Sequence, residues 1–245
     1  MPRRKEKFDI DEIYHIVVRA LDGNLIFKNT DDYFRGIFSI YEFNNNASVE
    51  ISKRRRDRTV EKKKEIILSE LGVPTALKDK RDKLVEILAF CFMPNHIHLL
   101  LKQVKLNGIS KFMQKATGGY AKYFNKKYKR NGHVFQNEFK SVYVKKDNQF
   151  MATVSYIFTN PIALIEPGWK ELGIRTHSVK EIIKFLEDYK WSSYQDCIGI
   201  KNFPSVTQRD FLLETMSGVD GLKEVVKDWI NHKIDISKYN NLFLE

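Results

Sequence analysis

The stretch Glu86-Ile87-Leu88-Ala89-Phe90-Cys91-Phe92-Met93-Pro94-Asn95-His96-Ile97-His98-Leu99-Leu100-Leu101-Lys102 reads as two apolar strands joined by a turn at Met93-Pro94-Asn95. Proline fixes φ there and asparagine tolerates the turn conformation. Side chains alternate faces along a strand, so His96 and His98 project to one side and Ile97 to the other. Two adjacent imidazoles are the larger part of a metal site. The plainer alternative is a pair of hydrogen-bonded histidines on a sheet.

Upstream, Ile13-Tyr14-His15-Ile16-Val17-Val18-Arg19 is rich in β-branched residues and reads as a first strand. Asp22-Gly23-Asn24 then turns the chain, and Leu25-Ile26-Phe27 reads as a short second run. Thr30-Asp31-Asp32 marks a helix start ahead of Tyr33, Phe34, Ile37, Phe38 and Tyr41, which keep helical spacing. Residues 44–80 change character: Lys53-Arg54-Arg55-Arg56-Asp57-Arg58 and Lys62-Lys63-Lys64 are dense basic clusters, closed by Gly72-Val73-Pro74. They read as a solvated insertion or as an arm that grips phosphates.

Downstream, Ile109, Phe112, Met113, Ala116, Tyr120, Tyr123, Phe124 and Tyr128 share one face of a helix, with Lys111, Lys115, Lys122, Lys126 and Lys129 off that face. Gly118-Gly119 inside it weakens the helix by about 1 kcal/mol per glycine, which implies close packing or close ligand approach. After a turn at Asn131-Gly132, Phe135-Gln136 and Ser141-Val142-Tyr143-Val144 read as extended.

Asp147 is the expected N-cap of a helix that runs to Asn160 and is stopped by Pro161. Phe150, Met151, Val154, Ile157 and Phe158 form its apolar stripe. Tyr156 falls nearly opposite, with Asn160 one turn on and Thr153 and Gln149 beside them. That polar face turns either to water or to something such as a metal site. Tyr120, Tyr123, Tyr128 and Tyr143 are the other tyrosines to weigh; the first three lie on an apolar helix face. A tyrosine hydroxyl, with its pKa of about 10, is a weak nucleophile at neutral pH. Attack on a phosphodiester therefore calls for a cation on the scissile phosphate. His96, His98 and the amide oxygen of Asn160 would suit Mg²⁺ or Mn²⁺.

Composition narrows the partners. The 42 Lys+Arg against 31 Asp+Glu give a net charge of +11, which favours a polyanion, nucleic acid ahead of an acidic membrane surface. A hydrophobic content of 42% supports the core of one sizeable domain. Cys91 and Cys197 supply neither a disulfide framework nor zinc spacing. The opening Met-Pro-Arg-Arg-Lys-Glu-Lys lacks a following apolar region, and no apolar run is long enough to cross a bilayer. The expectation is a cytoplasmic, nucleoid-associated protein with no membrane partner.

Five motifs then occur in order: Tyr14-His15-Ile16-Val17-Val18-Arg19, Met93-Pro94-Asn95-His96-Ile97-His98-Leu99, Gly132-His133-Val134-Phe135-Gln136, Tyr156-Ile157-Phe158-Thr159-Asn160-Pro161 and Trp191-Ser192-Ser193-Tyr194. Together they resemble the single-tyrosine HUH transposases, in the branch of REP-associated tyrosine transposases, over residues 8–200. The resemblance implies an α+β, ferredoxin-like (RRM-like) sandwich with a central antiparallel sheet. To this are added the basic insertion at about 44–80 and a C-terminal helical extension at 201–245, with helices over Thr207–Met216 and Leu222–His232. It implies cleavage and rejoining of single-stranded, hairpin-containing DNA through a 5′-phosphotyrosine, with Tyr156 as nucleophile and His96, His98 and Asn160 as ligands of Mg²⁺ or Mn²⁺. The family works as monomers or homodimers. Candidate DNA contacts are Arg19, Lys115, Lys122, Lys126, Arg130 and Lys140. Trp191 and Tyr194 read as packing residues, and His15 as structural or near the site. Glu138 departs from the pattern, standing where the family tends to carry arginine. Two readings from other classes remain beside this one: a non-catalytic binder of single-stranded nucleic acid on the same fold, and a His-x-His metal hydrolase that uses water.

Overall fold

The computed structural model describes residues 7–70 and 79–231. Gly72-Val73-Pro74, His232 and the rest of the C-terminus lie outside them. The sheet consists of β1 (Ile13–Arg19), β2 (Val85–Met93), β3 (His96–Gln103) and β4 (Lys140–Val144), in the order β2-β3-β1-β4 with every pair antiparallel. Between β1 and β2 lie α1 (Thr30–Glu42) and α2 (Ile51–Glu70), and between β3 and β4 lies α3 (Gly108–Lys127). The β-α-β-β-α-β connectivity with this strand order is the ferredoxin-like arrangement. After β4 come α4 (Asp147–Thr159), α5 (Trp169–Leu172), α6 (Val179–Asp188), α7 (Tyr194–Cys197), α8 (Asp210–Thr215) and α9 (Gly218–Asn231).

Each sheet face carries its own apolar layer, because alternate residues of every strand point to opposite sides. Tyr14, Ile16, Val18, Phe90, Phe92, Ile97 and Leu99 pack with Ile37 and Ile40 of α1 and with Phe112, Met113, Tyr120 and Phe124 of α3. Ala89, Cys91, Met93, Leu100 and Val144 pack on the other face with α4, α6 and the C-terminal helices, through Val154, Ile157, Ile182, Leu186, Leu212, Val226 and Ile230. The register of β2 against β3 shifts between Ile87 and Ala89. This bulge at Leu88 lets Ile87 and Phe90 both enter the α1–α3 layer, while Leu88 and Ala89 both enter the α4 layer.

The outer edge of β2 is hydrogen-bonded by loops and side chains. The Asn44 amide nitrogen donates to Val85 O (2.8 Å), and its Oδ1 accepts from Leu84 N and Val85 N (3.0 and 3.1 Å). Gln208 N donates to Ile87 O, and Phe92 N donates to Trp191 O, each at 2.9 Å. Ser193 Oγ accepts from Phe90 N at 2.9 Å. The Trp-Ser-Ser-Tyr motif is therefore an edge cover. Trp191 stacks on Tyr33 (4.5 Å between centroids, 14° between planes), and Tyr194 is buried against Phe158.

Three local expectations need correction or refinement. Leu25-Ile26-Phe27 forms no strand. Both neighbouring positions of β1 are filled by β3 and β4, so the run instead crosses the β2–β3 turn, with Ile26 N and Phe27 N donating to Pro94 O. The N-cap of α4 is Lys146, and Asp147 is the first helical residue; the Gln149 side-chain oxygen caps this end by accepting from Lys145 N and Lys146 N. In the basic insertion, α2 is fastened to α1 through buried Glu42, which pairs with Arg54 and Arg58 at 2.9 Å each. Lys53, Arg56, Lys63 and Lys64 are exposed on it.

The glycine pair of α3 resolves into two roles. A Cβ at Gly119 would strike the Phe43 ring, whereas one at Gly118 would meet nothing within 4 Å. Gly118→Ala should therefore raise stability by about 1 kcal/mol through helix propensity, and Gly119→Ala should lower it by about 1–3 kcal/mol through overpacking. Urea denaturation of the two variants checks this pair of opposite signs.

Candidate active site

The site is built on the two inner strands. In the β1–β3 register Arg19 stands opposite His96, Val17 opposite His98, and His15 opposite Leu100. Directly paired residues project to the same face, so His15, Arg19, His96 and His98 all point into the α4 layer. Lys140, paired with Val17, shares that face at the exposed start of β4. Because α4 lies across these strands, Tyr156 turns towards the histidines and not to water. It is 3% exposed, and its ring lies edge-on to His98 (5.5 Å between centroids) and to His15 (5.8 Å). The apolar stripe of α4 is occupied elsewhere: Phe150 packs on Phe211, and Phe158 on Tyr194.

The hydrogen bonds around the two His-x-His rings leave one nitrogen of each pointing inward. His96 Nδ1 lies 2.7 Å from Asn95 Oδ1, and His96 Nε2 lies 3.4 Å from Asn160 Oδ1. Burial pulls the His96 pKa down to about 4, helped by the positive charges of Arg19 and Lys170 and opposed by the Asn160 hydrogen bond. The neutral ring has a single N–H for two oxygen acceptors. The shorter contact takes it, so Nδ1 donates to Asn95 and the Nε2 lone pair faces the Asn160 oxygen. His98 is completely buried, and its Nδ1 lies 3.0 Å from His15 Nε2. Burial first, then the positive charge that His96 and His15 would carry, lowers the His98 pKa well below the ordinary histidine value. Its Nε2 has no hydrogen-bond partner among the described residues, and neither has Asn160 Nδ2.

Buried polar atoms without partners are rare in folded proteins, and this group has the chemistry of a cation site. The His96 Nε2 lies by the Asn160 amide oxygen, the neighbouring His98 ring keeps an unpartnered Nε2, and each ring's second nitrogen is held by another residue in the manner of metal-bound histidines. No group of three His, Cys, Asp or Glu side chains able to hold a metal occurs among the described residues. Any third protein donor to a cation here would be of another type, such as the Asn160 amide oxygen. Burial raises the Tyr156 pKa, opposed by the Asn160 hydrogen bond and the Arg19 charge. The phenol is therefore protonated at neutral pH, and any attack by its oxygen would require the charge forming there to be compensated.

The remaining candidates separate by location. Lys122 and Lys126 are exposed on α3, in the layer behind the sheet from the histidines. The Lys115 ammonium donates to the backbone carbonyls of Asn45 and Ala47, which accounts for it without a strand of DNA. Arg130 lies over the Phe124 ring and donates to His133 O. Tyr123 and Tyr128 donate to buried Asp32 behind the sheet, and Tyr143, on the face of β4 away from the histidines, donates to Glu12. Of two further residues at the site, His15 was read from sequence as structural or near the site, and Lys170 was not read as part of it. His15 lay inside a quoted motif, but its contact with His98 joins positions 83 residues apart. Lys170, whose Nζ donates to Tyr156 Oη at 3.2 Å and lies 4.7 Å above its ring, is one of 42 basic residues and carries no local signal.

Residues 49–160, which contain His96, His98, Tyr156 and Asn160, match the family model of IS200-like transposases. A solved structure described as a REP-associated tyrosine transposase bound to a REP hairpin is similar over 86% of this chain and 93% of its own, at 13% identity and a TM-score of 0.47. No curated protein matches. Among the described residues, no helix is long and apolar enough to cross a membrane.

The neutral imidazoles give this site a pH signature. Between about pH 6.5 and 4 the unfolded chain binds a proton at this histidine that folded His96 does not. Stability therefore rises with pH across that window and falls as the solution is acidified. Imidazole nitrogen NMR of the metal-free protein should show His96 titrating near pH 4 and His98 likewise titrating well below the ordinary histidine value. A His96 midpoint near 6.5 would contradict the burial argument.

Proposed function

We propose that the protein is a metal-dependent transposase or nickase that cleaves and rejoins single-stranded DNA through a 5′-phosphotyrosine at Tyr156. One observation carries the reading. The Tyr156 ring packs on His98, whose Nε2 has no protein partner, and the adjacent His96 turns its Nε2 to the Asn160 amide oxygen, so a tyrosine hydroxyl and a cation-competent donor set lie side by side. A Mg²⁺ or Mn²⁺ held by His96, His98 and Asn160 would polarise the scissile phosphate and neutralise the charge developing on it.

The chain's own residues supply the rest. Tyr156 Oη bonds to phosphorus as the bond to the 3′-oxygen breaks, and the phenol proton ends on the departing 3′-hydroxyl. The phosphodiester energy is kept in the tyrosyl link, and rejoining is the reverse. His96 and Asn95 form the solvent-accessible side of the group, with Arg19 opposite His96 as a positive rim for a phosphate. His15 holds the His98 ring, fixing which nitrogen faces inward. A hairpin-bearing single strand as substrate, and the nucleoid as its place of action, rest on the resemblance of the five motifs. Lys140 and the exposed lysines of α2 and α3 would add salt-dependent affinity without reading bases.

The deciding assay mixes end-labelled single-stranded hairpin oligonucleotides from the DNA flanking the gene with protein and Mn²⁺ or Mg²⁺. Labelled protein is then sought on denaturing gels. A metal-dependent adduct should form in the wild type and vanish in Tyr156→Phe, His96→Ala and His98→Ala. Cleavage that persists in Tyr156→Phe without any adduct would support the water-using hydrolase instead, and binding without cleavage the non-catalytic binder. Separately, His15→Ala should weaken Mn²⁺ binding about 10- to 100-fold, measured by electron paramagnetic resonance of free Mn²⁺ without DNA. Unchanged binding would remove His15 from the site.

A further inference from the structure

The Tyr156 hydroxyl has a cationic neighbour that lies beyond the segment matched by the transposase family. Lys170 Nζ donates to Tyr156 Oη at 3.2 Å and sits 4.7 Å over the ring centroid, so one ammonium engages both the oxygen and the π face. The surrounding loop holds Lys170 firmly. Its neighbour Trp169 is buried, and Trp169 N donates to Glu166 O at 3.0 Å. The buried Glu166 carboxylate closes the loop by accepting from Thr176 N (2.8 Å), Thr176 Oγ1 (2.9 Å), His177 N (2.7 Å) and His177 Nδ1 (2.9 Å). Gly168 and Gly173, at φ +76° and +77°, bracket α5 with the left-handed backbone these turns require. A flexible side chain is thereby delivered from a fixed backbone to one atom of Tyr156.

We infer that Lys170 is a catalytic residue: its ammonium carries the negative charge that forms on Tyr156 Oη, both when the tyrosine attacks and when it departs. The inference rests on Tyr156 being the nucleophile. As Oη–P forms and P–O3′ breaks, the phenol proton ends on the 3′-oxygen. Before that bond is complete Oη is partly anionic, and the Lys170 N–H already points at it. In rejoining, the 3′-hydroxyl attacks phosphorus, Oη leaves with the bonding pair and regains the proton, and the same N–H stabilises it. Lys170 keeps its own proton throughout. A preformed donor aimed at the atom where charge develops in a water-poor site is the arrangement from which electrostatic catalysis draws its largest effect.

The test compares wild type, Lys170→Met, Lys170→Arg and Tyr156→Phe, all full length, on one hairpin oligonucleotide with Mn²⁺. The single-turnover rate of adduct formation is read at saturating DNA, and the dissociation constant is read separately on the same strand without a divalent cation. Lys170→Met should slow adduct formation about a hundredfold while its strand affinity and Mn²⁺ requirement match the wild type. Lys170→Arg, which keeps a cation and a donor, should recover most of that rate. The inference is overturned if Lys170→Met keeps the wild-type rate, if its defect lies wholly in strand binding or thermal stability, or if Lys170→Arg is as slow as Lys170→Met. A wild type that cleaves equally well as Tyr156→Phe would overturn the nucleophile assignment and the role of Lys170 with it; a normal wild-type adduct beside a normal Lys170→Met rate overturns Lys170 alone.

Discussion

The register of β1 against β3 is the constraint on which the site depends. With Arg19 opposite His96 and Val17 opposite His98, four polar side chains from two adjacent strands project into the same layer, and His15 reaches His98 across the diagonal. A slip of one residue would send all of one strand's contributions into the α1–α3 core. The apolar pattern guards against this. Ile16, Val18, Ile97 and Leu99 on the opposite face are almost completely buried, and reversing them would expose or mispack each one. The hydrophobic layer behind the sheet thus sets the geometry of the polar group in front of it.

That polar group is unusual in being polar, buried and uncharged together. Desolvation holds both His-x-His rings in the neutral form that can donate a lone pair, and the two cations nearby, Arg19 and Lys170, push in the same direction. The same cations have the opposite consequence for an anion, since Arg19 favours a negative group beside His96 and Lys170 favours a phenolate at Tyr156. One electrostatic environment therefore keeps the imidazoles unprotonated and favours negative charge brought beside them.

Much of this was legible in the sequence, and what was not has identifiable causes. The β2–β3 hairpin and the common face of His96 and His98 follow from period-two alternation and the Pro-Asn turn, both local properties. The Leu88 bulge leaves no trace in an uninterrupted apolar run. Helical periodicity set Tyr156 apart from the apolar stripe, yet could not say whether it faced water or a site. That choice depends on the C-terminal helices, which cover the stripe and leave the tyrosine side for the sheet. Leu25-Ile26-Phe27 has strand composition, but strand formation needs a free edge as well as propensity, and β1 has none. The contact of His15 with His98 and the place of Lys170 became visible only once residues distant in sequence were brought together.

The two borders of the sheet differ in a way that bears on how copies of this chain meet. Along β2 the outward backbone groups are taken up by Asn44, Gln208, Trp191 and Ser193. The opposite border is β4, five residues long, with Lys140 at its start and Lys145 and Lys146 just past its end. A short border flanked by lysines repels a second copy of itself. Extending the sheet across two molecules is therefore disfavoured at both ends, and the chain can crowd onto a polyanion without its strands joining into a continuous ribbon.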